Sequence, residues 1–119
     1  MAQSLSCGAF VANSTRSTFS GSRGFTVTTA GDGAASETRS IATIEAEWTI
    51  PTSIGNVGLV TIRNLDATNY VQVGFATGVY ALRIKAGQTA LLPLEPATAS
   101  LFLLANTAAC IVELAAYEA

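Results

Sequence analysis

The groups able to do chemistry in this chain are few: eight carboxylates, six cations, two cysteines and no histidine in 119 residues. Glu45 and Glu47 stand two apart in an alternating run, which puts them on one strand face about 6–7 Å apart. Paired carboxylates can hydrolyse a glycosidic bond. Two acids on a solvated strand face give the same pattern, and the solvated face is the expectation. Asp32, Glu37, Asp66, Glu95, Glu113 and Glu118 are scattered. A catalytic nucleophile needs a base beside it. Without histidine, Ser-His and Cys-His arrangements are excluded, so no catalytic residue is expected and the chain reads as a non-enzyme. Cys7 and Cys110 form no Cys-x-x-Cys, and a zinc site without histidine is not expected. Gly21, Gly24, Gly31 and Gly33 do not make a phosphate loop, because no helix follows them. No metal and no cofactor are therefore expected.

Charge narrows the partners. Formal net charge is −2, and Arg16, Arg23, Arg39, Arg63, Arg83 and Lys85 are dispersed. A phosphate-backbone binder needs a basic field, so nucleic acid is not an expected partner. Arg83 and Lys85 share one strand face; a solvated face explains them, and a subunit boundary is the sharper alternative. Charged residues make up 12% of the chain, against roughly 25% in ordinary soluble domains. A surface so poor in charge is better explained if another chain covers part of it. A neutral surface rich in Ser, Thr and Asn is the plainer alternative.

Membrane and secretory readings are not favoured. No apolar run approaches the roughly 20 residues of a spanning helix. The start MAQSLSCGAFVA has neither a basic region nor a long apolar core, so Asn13-Ser14-Thr15, a glycosylation acceptor pattern, has no expected relevance. A disulfide scaffold would carry more than two cysteines. Two free thiols are the expectation, with a pairing open if the terminal strands are neighbours. The chain is expected in a reducing cytoplasm.

These residues need elements to hold them, and the periodicity is that of strands. Six short apolar runs follow one another: VGLVTIRNL, NYVQVGF, VYALRIKAG, QTALLPL, SLFLLAN and CIVELAAY. Each is cut off by turn residues, the pattern of an all-β antiparallel β-sandwich or jelly-roll-like barrel in a single domain. Residues 41–119 hold most of the large aliphatics and are expected to form the core. Residues 1–40 are rich in Ser, Thr, Gly and Ala and read as polar strands or an arm. Within them, Leu5 to Val11 and Phe19 to Val27 alternate, and residues 30–36 read as a loop. Residues 41–50 read as one strand with Ile44, Ala46, Trp48 and Ile50 inward, ended by Pro51. Trp48 is expected as a core anchor. Val71, Val73 and Phe75 are expected inward, as are Leu82, Ile84, Leu101, Leu103, Cys110, Val112 and Leu114. Lys85-Ala86-Gly87-Gln88 reads as a turn with positive φ at glycine. Pro93 marks an edge strand. Tyr70, Tyr80 and Tyr117 are the only aromatics that could form an exposed sugar-binding platform; core or interface packing is the expected role.

The runs GLVTIRNLDATNYVQVG (residues 58–74), LRIKAGQTALLPL (82–94) and LLANTAACIVEL (103–114), in this order, resemble a group of small virion structural proteins of tailed bacteriophages. The resemblance covers about half the chain. Residues 1–50 share only a polar, strand-like character. Positions 103–106 read Leu-Leu-Ala-Asn where the group often has Tyr-Ala-Lys-Ala, so a lysine of the group is absent. The resemblance implies a component of the virion, assembled in the bacterial host cytoplasm. It implies most readily a capsid decoration (cement) protein that binds the major capsid protein or another virion protein, as a homo-oligomer and preferably a homotrimer. A tail, baseplate or fibre component acting as adaptor or receptor- or glycan-binding module is the alternative.

Overall fold

The computed structural model describes residues 4–11, 21–29 and 31–119, with side chains at 4–8, at 29 and from 31 onward. The chain divides into two units, Met1–Asp32 and Gly33–Ala119. In the first, β1 (Ser4–Val11) and β2 (Gly21–Thr28) pair antiparallel, with Ser4 opposite Thr28 and Val11 opposite Gly21. The expected strands are there, two residues shifted at the second. Phe19 and Asn13-Ser14-Thr15 fall outside the described residues.

The second unit is a sandwich of two four-stranded antiparallel sheets. Its strands are β3 (Ala34–Ile41), β4 (Ala46–Thr49), β5 (Val57–Asn64), β6 (Val71–Gly74), β7 (Leu82–Ile84), β8 (Thr89–Pro93), β9 (Ser100–Ala105) and β10 (Cys110–Glu118). One sheet runs β3-β10-β5-β8, the other β4-β9-β6-β7. The pairs β6–β7, β5–β8, β4–β9 and β3–β10 are those of one long hairpin folded at its middle. The pairs β10–β5 and β9–β6 then close the folded ribbon on itself. A ribbon rolled in this way is a jelly roll, with β3 and β8 at the edges of one sheet and β4 and β7 at the edges of the other.

The core lies between the sheets and follows the period of two. Val60 and Ile62 on β5, Val71 and Val73 on β6, Leu101 and Leu103 on β9, and Val112 and Leu114 on β10 are fully buried. Each such side chain contributes roughly 1.5–3 kcal/mol by leaving water. Trp48 is buried as expected. Pro93 ends β8, an edge strand, and Gly87 has φ +75° in its turn.

Three expectations need correction. The strand read over residues 41–50 is two strands: β3 ends at Ile41, the chain bends at Thr43 and Ile44 to cross to the other sheet, and β4 begins at Ala46. Alternation is lost at the crossing, and Ile44 is 79% exposed instead of inward. Phe75 is exposed for a similar reason, because β6 stops at Gly74. Residues 34–36, read as loop, open β3, and β3 belongs to the sandwich through its pairing with β10. The sandwich therefore starts seven residues before the large aliphatics do. Ala35 and Ile41 are the only apolar side chains on β3 that reach the core, so composition alone places this strand with the polar segment.

Candidate functional site

The densest polar cluster gathers where β5, β6, β9 and β10 meet at one end of the sandwich. Asn64 closes β5 at an inward position and is completely buried. A buried amide must find partners for both its ends. Its Nδ2 donates to the carbonyls of Asn69 (2.9 Å) and Ile84 (3.0 Å), and its Oδ1 accepts from the Asp66 N–H at 2.9 Å. Asp66 continues the chain of bonds. Its Oδ2 accepts from the N–H groups of Thr68 (2.9 Å) and Asn69 (2.6 Å), the Asx pattern that winds a loop around its own side chain. The Asn69 and Thr68 N–H groups hold the Asp66 carboxyl below its ordinary range.

The β9–β10 turn plugs into this loop. Asn106 Oδ1 accepts from the Tyr70 N–H at 2.9 Å, and the Asn106 N–H donates to the Tyr70 carbonyl at 3.2 Å. Thr107 donates to Asn69 Oδ1 at 2.7 Å. The Cys110 thiol lies 3.8 Å from the Tyr70 carbonyl and 3.7 Å from that of Ala108. Burial, and then the Asp66 charge, pushes the Cys110 thiol up. It stays protonated at neutral pH, so it is a packing residue and not a nucleophile. Among the described residues, every buried side-chain nitrogen and oxygen has a partner. The cluster is closed on itself: its groups hold loops, and none of the buried ones is left to hold a ligand. Sequence reasoning places Asp66 among the scattered carboxylates and does not single out Asn64. The signal it missed is an asparagine at an inward strand position, continuing Val60 and Ile62.

A second cluster lies on the outer side of the β4-β9-β6-β7 sheet. A Cβ added to Gly74 would stand 1.7 Å from the Val79 carbonyl oxygen, so the loop of residues 75–81 is seated on the bare Gly74 backbone. Glu45 holds that loop. Its Oε2 accepts from the Gly78 N–H at 2.7 Å and from the Tyr80 hydroxyl. Tyr80 and then the Gly78 N–H lower the Glu45 pKa, and the bond to Glu45 raises that of Tyr80. Gly78, at φ +73°, supplies the left-handed turn that brings its N–H to the carboxylate.

The remaining candidates do not assemble. Glu45 precedes β4 and is bound to the loop, whereas Glu47 is exposed on β4, so the pair is not a two-acid site. The three tyrosines are separate: Tyr70 lies beneath the Arg83 guanidinium, 4.2 Å from ring centroid to Cζ, and Tyr80 joins Glu45. Tyr117 is on the outer face of the other sheet, opposite Leu59 and Ala34. Cys7 is a half-buried free thiol opposite Phe25, and Cys110 is a buried one opposite Ile41. A groove of about 230 Å³ runs along the β3 side, lined by Ala35, Ser36, Glu37, Trp48 and Pro51. It is smaller than the roughly 300–1,000 Å³ of ordinary ligand pockets. Among the described residues, no three His, Cys, Asp or Glu side chains come together as a metal site. No protein-family model, curated protein or solved structure matches the chain.

Proposed function

We propose that this chain is a non-enzymatic structural component of a tailed-phage virion, a capsid decoration protein that binds and stabilises the head lattice. The observation that carries the reading is where the resembling stretches go. RNLDATNY (residues 63–70) and ANTAAC (105–110) lie far apart in sequence and interlock around Asn64, Tyr70 and Asn106. In this reading, the stretches that carry the resemblance are the ones that fix the scaffold. The polar clusters hold loops instead of presenting groups to a substrate, which suits a protein whose work is to stay folded and bind. The low charge agrees with a surface partly covered by other subunits.

In this reading the sandwich is the rigid body and the segment before it makes the added contact. Since β3 belongs to the sandwich, that segment is residues 1–32. An arm of this kind gains affinity by backbone pairing and apolar burial on a neighbour. The test is co-sedimentation of purified chain with particles assembled without it. The full chain saturates the particles at a fixed number of copies. Removing residues 1–16 lowers binding while circular dichroism keeps the sandwich signal. No binding by the full chain overturns the decoration role; full binding by the truncated chain overturns the part assigned to the arm.

A further inference from the structure

The four edges of the sandwich are not equally guarded. β7 has three residues and β4 has four, and β8 ends in Pro93. Short edges and prolines are the usual means of keeping a sheet from growing. β3 has eight residues and no proline, and among the described residues its far side pairs with no strand. The register says which groups that side offers. Ile111 gives its carbonyl to Leu65, on the β5 side of β10, so Cys110, Val112, Leu114 and Ala116 face β3. Their partners Ile41, Arg39, Glu37 and Ala35 are thereby satisfied. Ala34, Ser36, Thr38 and Ser40 point their N–H and C=O groups to the open edge.

We propose that this edge pairs with the β3 edge of a second copy, antiparallel and two-fold symmetric about Thr38. Only residues of even number have free groups there, and the symmetric registers nearest the middle of the strand centre on Glu37, Thr38 or Arg39. Centring on Glu37 sets Glu37 against itself, and centring on Arg39 sets Arg39 against itself. Centring on Thr38 sets Glu37 of each copy opposite Arg39 of the other. Thr38 then exchanges both backbone bonds with Thr38, and Ser36 with Ser40. The Glu37–Arg39 pairs fall at the non-hydrogen-bonded positions, where opposite side chains are closest, about 4.5 Å between Cα atoms. Lone charges on an edge normally discourage pairing; here their signs are arranged to favour one partner and one register. Arg39 is available for this: among the described residues its side chain is held by a 3.3 Å exposed contact to the Glu47 carbonyl. The groove lined by Glu37, Trp48 and Pro51 runs beside the same edge and would be covered at the seam.

Sedimentation equilibrium of the full chain tests this independently of any particle. The expected result is a reversible dimer. Glu37→Arg or Arg39→Glu alone weakens it about tenfold or more through two like-charge contacts, and the double variant Glu37→Arg, Arg39→Glu restores it. Thr38→Pro removes an N–H that only the partner uses, so it abolishes the dimer while the melting transition stays cooperative. A wild-type chain that stays monomeric, or forms trimers, overturns the pairing. So does a dimer indifferent to the single charge reversals and to Thr38→Pro. None of these outcomes depends on whether the chain decorates a capsid.

Discussion

The two polar clusters of the sandwich do similar work under different conditions. The Asn64 cluster is buried and built on a neutral amide whose three bonds reach backbone groups of β7 and the β5–β6 loop. The Glu45 cluster stands at the surface and joins a carboxylate to a phenol and one N–H. Burial makes the first costly to break, since the groups it leaves behind cannot turn to water. Exposure makes the second cheap to break and sensitive to pH. The first fixes how the sheets are connected; the second fixes one loop on top of a sheet already made.

The contrast can be broken most forcefully at Asn64. Asn64→Ala strands the carbonyls of Asn69 and Ile84 and the Asp66 N–H, and a loss of about 2–4 kcal/mol is expected in urea unfolding. A loss no larger than that of a surface substitution would mean the amide is not the keystone. Next comes Gly74→Ala. Its methyl group collides with the Val79 carbonyl, so the loop of residues 75–81 must lift, at about 1–3 kcal/mol. Hydrogen exchange should rise in that loop and remain unchanged around Asn64; a spread of the effect to residues 64–70 would contradict the separation of the clusters.

Smaller effects sharpen the comparison through pH. The Glu45 pKa is depressed in the folded chain, so its contribution is present above the ordinary glutamate value of 4.5 and fades as pH falls through the lower folded value. Asp66 behaves in the same way below 3.8. The Tyr80 pKa is raised, so its contribution is present below 10.0 and fades as pH rises through the higher folded value. The loop is therefore held between these limits and released outside both. Glu45→Gln should remove the Glu45 part of the acid limb, leaving that of Asp66, and bring the Tyr80 titration, followed by ultraviolet absorbance, back toward that of a free tyrosine. An unaltered Tyr80 titration would show that the bond to Glu45 is not made in solution. Asn64→Ala should lower stability across the whole range and leave the alkaline limb, which belongs to Tyr80, unshifted.

How much of this was legible in the sequence depends on which rule a residue obeys. The second-half strands were, because Val60, Ile62, Leu101, Leu103, Val112 and Leu114 keep a strict period of two. Gly87 and Pro93 were legible because each enforces one backbone state. Ile44 and Phe75 misled because alternation reports a face only while the strand continues, and both lie just outside one. β3 was hidden because Glu37 and Arg39, which alternate with Ala35 and Ile41 along one face, stay at an open edge where the core does not demand apolar side chains. The two clusters were beyond sequence reading for a different reason. Asn64 meets Ile84, Tyr70 meets Asn106, and Glu45 meets Tyr80 only after the ribbon has rolled, and no local pattern records those meetings.

The most direct test of the virion assignment is a cryo-EM reconstruction of the native particle that encodes this chain. The account predicts an eight-stranded jelly roll over the capsid lattice, in repeated copies at its symmetry axes, with the segment before Gly33 reaching a neighbouring subunit. Density for the chain in the tail or fibres alone, or in no part of the particle, would contradict it.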